Sequence, residues 1–228
     1  MDTSRVWLVI PAYNEAKNGT IGTTVRGARQ VFSNIIVVDD CSRDGTGDLA
    51  YREGAHVCRH PVNLGQGAAL ATGIRYALSE GAEEIVTFDA DGQHRIEDVL
   101  KMIAQRRSED ADVVLGSRFI GAAPGMSQAK RILLKLAVVF TRLTSGLQVT
   151  DAHNGLRVMT RAAASQISIR QNRMAHASEI LNEIAAKGLR YSEAPISIIY
   201  TDYSVEKGQK MSGAFTILGD LFLRRLHK

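Results

Sequence analysis

Two aspartates set two residues apart, Asp89 and Asp91, are the pair in this chain best placed to do chemistry. They follow Ile85, Val86, Thr87 and Phe88, a β-branched and aromatic run that predicts a buried strand ending in a loop. Residues two apart on extended backbone project the same way, so both carboxylates can converge on one point. Two such anions repel unless a cation joins them. Hard divalent ions such as Mg2+ or Mn2+ accept one or two protein carboxylates while water and substrate phosphate fill the remaining positions. Gln93 offers a third, neutral oxygen and His94 a contact behind the ligands. A polar turn after a strand explains the same Asp-Ala-Asp-Gly run without a metal; on these residues alone both readings stand.

The elements that must position this loop follow from the apolar runs around it. Residues 6–10 suit a strand buried on both faces, as parallel sheets require, and Pro11 ends it. Residues 35–38 repeat the pattern and deliver Asp39 and Asp40 to a second strand's carboxyl end, where Ser42 or Asp44 can cap the next helix. A third short strand over 55–59 leads into Asn63, Gly65, Gly67, Ala68 and Ala69. Those small residues either let backbone approach a ligand beside free helix N–H groups or simply start a helix. The strand over 113–118 ends in Arg118, which can grip a phosphate or face solvent. Five strand-then-helix units in about 118 residues predict an α/β, doubly wound, mostly parallel sheet with helices on both faces. Ligands of such sheets bind at the carboxyl ends of the strands.

The second half is more helical. Residues 125–146 place Ile132, Leu133, Leu136, Val139, Phe140 and Leu143 on an apolar face flanked by Lys130, Arg131, Lys135 and Arg142, which describes a core helix or one lying in a membrane interface. A polar segment follows over 150–157, then a helix over 174–186 with His176 and Glu179 sharing a face. One or two strands over 190–200 are broken at Pro195, a loop over 201–212 carries Lys210, and an amphipathic helix over 214–228 closes the chain.

Composition narrows the class. At 45% apolar and 23% charged residues, the 228-residue chain matches an ordinary globular protein able to bury a core without disulfides. Cys41 and Cys58 belong to no Cys/His cluster, which argues against a zinc site and for a reducing, cytoplasmic setting. The start has no signal-peptide pattern and reads as the native amino terminus. The longest apolar window, 132–143, holds two charges and falls short of the roughly 20 residues that cross a bilayer. A net charge of +4 favours anionic surfaces or phosphate ligands, and no nucleic-acid recognition module is visible.

Taken in register, I-P-A-Y-N-E (10–15), V-V-D-D-C-S-R-D-G-T (37–46), N-L-G-Q-G-A-A (63–69), D-A-D-G-Q-H (89–94) and G-S-R-F (116–119) resemble family 2 glycosyltransferases. The likeness spans about residues 5–213 and is greatest to the dolichyl- or polyprenyl-phosphate mannose synthase branch. It implies a GT-A fold and inverting transfer of a hexose from a UDP- or GDP-linked nucleoside-diphosphate sugar. It also implies a single domain, with about residues 1–120 binding the donor and 121–228 facing the acceptor. By the same resemblance, Pro11, Tyr13, Glu15 and Asp40 surround the base and ribose, and Ala12, Asp39, Asn63, Gly67 and Ala90 join the donor-binding set. Asp89, Asp91 and Gln93 would hold Mg2+ or Mn2+ on the diphosphate, with Arg118, Arg131 and Lys210 supplying positive charge for the acceptor or diphosphate.

A lipid phosphate is already ionised and needs no strong base, whereas a saccharide hydroxyl needs one, for which Glu179 is the candidate. The three cations favour polyprenyl phosphate as acceptor over a saccharide. Many relatives of this branch carry carboxyl-terminal transmembrane helices, and this chain reaches Lys228 without one. The expected attachment is therefore peripheral, on the inner face of the cell membrane, through the helices over 131–143 and 214–228, unless the acceptor is soluble. A homodimer is compatible with all of this.

Overall fold

Unbroken runs of Val, Ile and Leu make strands that need cover on both faces, and in the computed structural model, which describes residues 1–172 and 175–199, they lie side by side in one sheet. Its strands are β1 (Val6–Ala12), β2 (Asn34–Asp39), β3 (His56–Arg59), β4 (Glu84–Thr87), β5 (Val113–Ala122), β6 (Arg157–Thr160) and β7 (Tyr191–Ser197). Their order across the sheet is β3-β2-β1-β4-β6-β5-β7. Parallel pairing joins β1 to β2 and β4, β2 to β3, and β5 to β7, while β6 runs antiparallel to both β4 and β5. The doubly wound, mostly parallel sheet is as expected, with one insertion: β6 separates β4 from β5.

The helices are α1 (Thr20–Arg29), α2 (Thr46–Arg52), α3 (Gln66–Ser79), α4 (Ile96–Glu109), α5 (Gln128–Ser145), α6 (Arg161–Gln166) and α7 (His176–Ala186). Alternation along each strand sorts them between the two faces. Leu8 and Ile10 of β1 pack with Ile21 and Val25 of α1 and with Met102 and Ile103 of α4. Trp7 and Val9 face the other way, towards Leu70 and Ile74 of α3, Val138 of α5 and Ile180 and Ile184 of α7.

Three expectations need correction. Pro11 was expected to end the first strand, but β1 runs through it to Ala12; beyond Val9 it pairs with β2 alone, so the ring has only one ladder to respect. Residues 150–157 were expected as a polar stretch with no strand after it, yet β6 begins at Arg157; four residues opening on an arginine are too few to register as a period. Pro195 was expected to break the final strand, but β7 continues through it. Because β7 is the outermost strand, one of its edges has no ladder to lose, and edge strands tolerate proline.

Helix α5 buries Leu134, Ala137, Val138 and Thr141. It leaves Ile132, Leu136, Val139 and Leu143 each more than half exposed, so its apolar residues divide between core and surface. Among the described residues no helix is long and apolar enough to cross a membrane. The loop carrying Lys210 and the helix expected over 214–228 lie outside the described residues.

The topology decides what reaches the working edge. Parallel strands bring their carboxyl ends there, and β6, running the opposite way, brings its leading end to the same edge beside β4.

Candidate active site

At that edge a cleft of about 470 Å³ opens between the tips of β1, β2 and β4 and the approach to β6. One wall comes from β1 and the loop after it: Pro11, Ala12, Tyr13 and Glu15. Asn14 turns the chain with φ at +55°, a left-handed conformation that asparagine tolerates. The loop is then clasped by the one after β2. Asn14 N–H donates to Ser42 Oγ at 2.9 Å, Glu15 N–H to Thr46 Oγ1 at 2.8 Å, and Ala16 N–H to Asp44 Oδ2 at 2.9 Å. Ser42 is thus spent on Asn14 rather than on a helix cap, while Asp44 accepts the Thr46 N–H at 3.1 Å.

Asp39, which ends β2, and Asp40 just past it part company, as adjacent residues of extended chain do. Asp39 is buried, accepts the Ser42 N–H at 2.9 Å and lies 4.0 Å from Arg59 Nε, outside the cleft lining. Asp40 lines the cleft and shapes the turn into α3, accepting the N–H groups of Leu64 at 2.9 Å and Gly65 at 2.7 Å beside His60 Nδ1 at 2.7 Å. Asn63, Gly65, Gln66 and Ala69 line the same side. Gly67 does not. A Cβ there would stand 2.1 Å from the Gln171 carbonyl oxygen and 2.9 Å from His176 Cβ, so its smallness serves the close approach of α3 to Gln171 and His176.

Asp89, Ala90 and Asp91 form the floor, so both carboxylate-bearing residues share one cleft with the tip of β1. His94 Nε2 lies 2.9 Å from Asp89 Oδ2, and Gln66 Nε2 donates to Asp89 Oδ1 at 3.3 Å. Burial by itself would raise the Asp89 pKa. The hydrogen bond from His94 and the charges of His94, Arg157 and His176 outweigh it and hold the group below the usual carboxylate range. Asp91 has less support. Burial first, then the Asp89 charge, push it up to about 6, with the Gln93 N–H at 3.1 Å on Oδ1 as partial relief. Gln93 itself is next in the loop but not among the lining residues.

Among the described residues no group of three or more His, Cys, Asp and Glu side chains could hold a metal. Two carboxylates open to a cleft fit a hard divalent ion that takes its other ligands from water and phosphate.

The opposite wall escaped the sequence reading: His153, Asn154, Gly155 and Arg157 from the approach to β6, and His176 and Ala177 from α7. Arg157 is among the largest fully buried side chains; burial lowers its guanidinium to about 10 while Asp89 and Asp151 pull it back, so it stays charged at neutral pH. Gly155 fits directly under Asp89, since a Cβ there would lie 2.3 Å from a carboxylate oxygen. Glu179 shares the α7 face with His176 but is not a lining residue. Its Oε2 accepts the N–H groups of Arg170 at 3.0 Å and Gln171 at 2.8 Å.

Arg118 and Arg131 meet in a second groove of about 560 Å³, with Lys135 and Arg142 from α5 and the apolar Phe119 and Met126. Arg118 is anchored there, its Nε donating to Asp151 Oδ2 at 2.6 Å and its Nη2 to the His153 carbonyl at 2.8 Å. Arg118 thus ties the groove to His153 of the cleft, and Lys130 lies near enough to both Arg118 and Asp91 to interact with their charges.

Comparison with known proteins agrees with this layout. The model of glycosyl transferase family 2 matches residues 7–168. UDP-N-acetylglucosamine–dolichyl-phosphate N-acetylglucosaminyltransferase of Methanococcus voltae is 31% identical over 98% of this chain and 97% of its own. Undecaprenyl-phosphate mannosyltransferase of Micrococcus luteus is 30% identical over 92% and 88%. Among solved structures, glucosyl-3-phosphoglycerate synthase of Mycobacterium tuberculosis, crystallised with Mg2+ and UDP, superposes with a TM-score of 0.68 over 90% of this chain and 74% of that one. At 17% identity that likeness speaks for the fold, the GT-A architecture. The chain belongs to glycosyl transferase family 2 and is a glycosyltransferase.

Proposed function

We propose that the protein transfers a hexose, with inversion, from a nucleoside-diphosphate sugar to a polyprenyl phosphate such as dolichyl or undecaprenyl phosphate. The observation that carries this reading is the pair Asp89 and Asp91 on the floor of one cleft, under the tip of β1, with Asp91 pushed up to about 6 by burial and by its neighbour's charge. Two carboxylates on the floor of one cleft suit a divalent cation, and a nucleoside diphosphate brings one.

In this reading Pro11, Ala12, Tyr13, Glu15, Asp40 and Asn63 receive the nucleoside. Asp89 and Asp91, with Gln93 next to them, hold Mg2+ or Mn2+ on the diphosphate. The bound ion supplies neutralisation of the charge that grows on the departing diphosphate. The chain's own part is positional: His94 and Gln66 fix Asp89, and the clasp between the loops after β1 and β2 fixes the nucleoside wall.

Two observations favour a phosphate over a hydroxyl acceptor. Glu179, the candidate base, is turned onto backbone N–H groups outside the cleft lining, and Arg118, Arg131, Lys135 and Arg142 gather in the groove that Arg118 links to the cleft through His153. The relatives named above act on dolichyl and undecaprenyl phosphates. The exposed apolar residues of α5, flanked by Arg131, Lys135 and Arg142, suit an anionic bilayer surface, which would present the acceptor at the groove. Transfer to a saccharide hydroxyl is the alternative.

The test is a donor screen with UDP- and GDP-sugars and Mg2+ or Mn2+, scored by release of nucleoside diphosphate with and without polyprenyl phosphate. Release that requires both the metal and the lipid phosphate is expected. Full turnover by Asp91→Ala would overturn the reading.

A further inference from the structure

The approach to β6 holds buried polar atoms that the fold itself leaves unmatched. Asn154 Nδ2, Arg157 Nη1 and His153 Nδ1 are buried without a hydrogen-bond partner among the described residues, and all three residues line the cleft. Asn154 and Arg157 are only 5% and 2% exposed. The orientation of the Asn154 amide is fixed by its other end, since Oδ1 accepts the Leu156 N–H at 2.9 Å and so leaves Nδ2 as the free donor. Native folds rarely leave such donors unmatched unless a ligand or water completes them.

Position indicates which ligand. Across the working edge the sheet runs β2, β1, β4, β6. If the nucleoside rests on the first two tips and the diphosphate on the third, as proposed above, the group beyond the diphosphate lies over the fourth, where 153–157 stands. The chemistry agrees with that order. A phosphate oxygen only accepts, and here it would face Asp89, which flanks Arg157 together with Asp151. A sugar hydroxyl accepts from Asn154 or Arg157 and can pass its own proton towards a carboxylate or an imidazole nitrogen.

We propose that Asn154 and Arg157 donate hydrogen bonds to hydroxyl oxygens of the transferred sugar, making the approach to β6 the sugar-recognising wall of the cleft. The inference rests on the donor reading above and names the residues that would discriminate one sugar from another. A site built to bond hydroxyls penalises a ligand that lacks them more strongly than an apolar pocket does.

Calorimetric titration of the full chain with Mg2+ tests it, using UDP against UDP-glucose and UDP-N-acetylglucosamine, and GDP against GDP-mannose. Asn154→Asp keeps the acceptor for Leu156 N–H and removes the donor; Asn154→Ala removes both, and Arg157→Lys keeps the charge but loses the fork. The expected result is a loss of about tenfold or more in affinity for the nucleotide sugar that binds wild type, with affinity for its free diphosphate changed less than about twofold. Equal losses for sugar nucleotide and free diphosphate would overturn the inference, because the pair would then hold phosphate. Unchanged binding of both would overturn it as well. Wild type that binds none of these nucleotides would instead refute the donor reading and the inference with it. Should Arg157→Lys fail to fold, the two Asn154 variants decide.

Discussion

Gly155 offers a direct measure of how much the position of Asp89 matters. A Cβ at residue 155 would lie 2.3 and 2.5 Å from the two Asp89 carboxylate oxygens, whereas ordinary contact begins near 3.4 Å, so Gly155→Ala forces the carboxylate back by about 1 Å. Gly155 is not among the residues with positive φ, so alanine meets no backbone strain and the perturbation is the contact itself. A retreat of that size breaks the bonds from His94 at 2.9 Å and Gln66 at 3.3 Å. Misplacing a reacting group by 1 Å costs on the order of 100-fold in rate. Overpacking adds about 1–3 kcal/mol of instability, which in a chain of this size lowers Tm by about 2–4 °C per kcal/mol. The assay is turnover against Mg2+ concentration, with Tm measured in parallel. Gly27→Ala is the control: a Cβ there meets nothing within 4 Å on α1, so activity should hold while stability rises by about 0.5–1 kcal/mol. Wild-type turnover and metal dependence in Gly155→Ala would refute the argument, as would an equal loss of activity in the control.

Other outcomes follow from the same contacts. Asp91→Asn removes a half-buried charge set against Asp89, so the Tm of metal-free protein should rise while turnover falls by at least about 100-fold; an unchanged Tm would mean that the two charges do not oppose each other. Glu179→Gln keeps an oxygen for the Arg170 and Gln171 N–H groups, so transfer to lipid phosphate should stay within about threefold of wild type, and a loss above about 100-fold would mark it as a base for a hydroxyl acceptor. Burial would raise the Asp44 pKa, but the Thr46 hydroxyl and the N–H groups of Ala16 and Thr46 hold it below 3.8. Its stabilising contribution is therefore present above that pH and lost as pH falls through the folded-state value. In urea unfolding, Asp44→Asn should be less stable than wild type by about 1 kcal/mol at pH 7, with the gap narrowing as pH falls through the folded-state value; a gap that persists in acid would contradict this. Replacing Leu136 and Leu143 by Asp should cut binding to vesicles rich in anionic lipid at least about tenfold without lowering Tm, and unchanged binding would remove α5 from the membrane reading.

The nucleoside wall and the floor were legible in the sequence for a local reason. Pro11, Tyr13, Asp40, Asn63, Asp89 and Asp91 stand directly after short apolar runs, so calling those runs parallel strands already brought their tips together. The opposite wall reaches the cleft by a different route. His153 to Arg157 precede a strand of four residues that runs backwards, and an arginine in sequence reads as surface although Arg157 is 2% exposed. The available signal was slight: a polar, glycine-bearing stretch leading to Val158 and Met159. Asp39 and Gly67 failed in the opposite sense. Their residue types suit a ligand site, but strand alternation turns Asp39 away and helix packing claims Gly67.

The antiparallel strand β6 also constrains how the molecule is made. Glu84 pairs with Thr160 and Thr87 with Arg157, so the strand leading to Asp89 gains its second neighbour only when some 70 further residues have left the ribosome. Until then its edge is an open ladder, the kind of surface that recruits stray chains. Closing so long a loop is slow, because its entropy must be lost before the pairing rewards it. A nascent chain paused near residue 150 would be the species most in need of a chaperone, and two halves of the protein expressed separately would each lack part of a finished sheet.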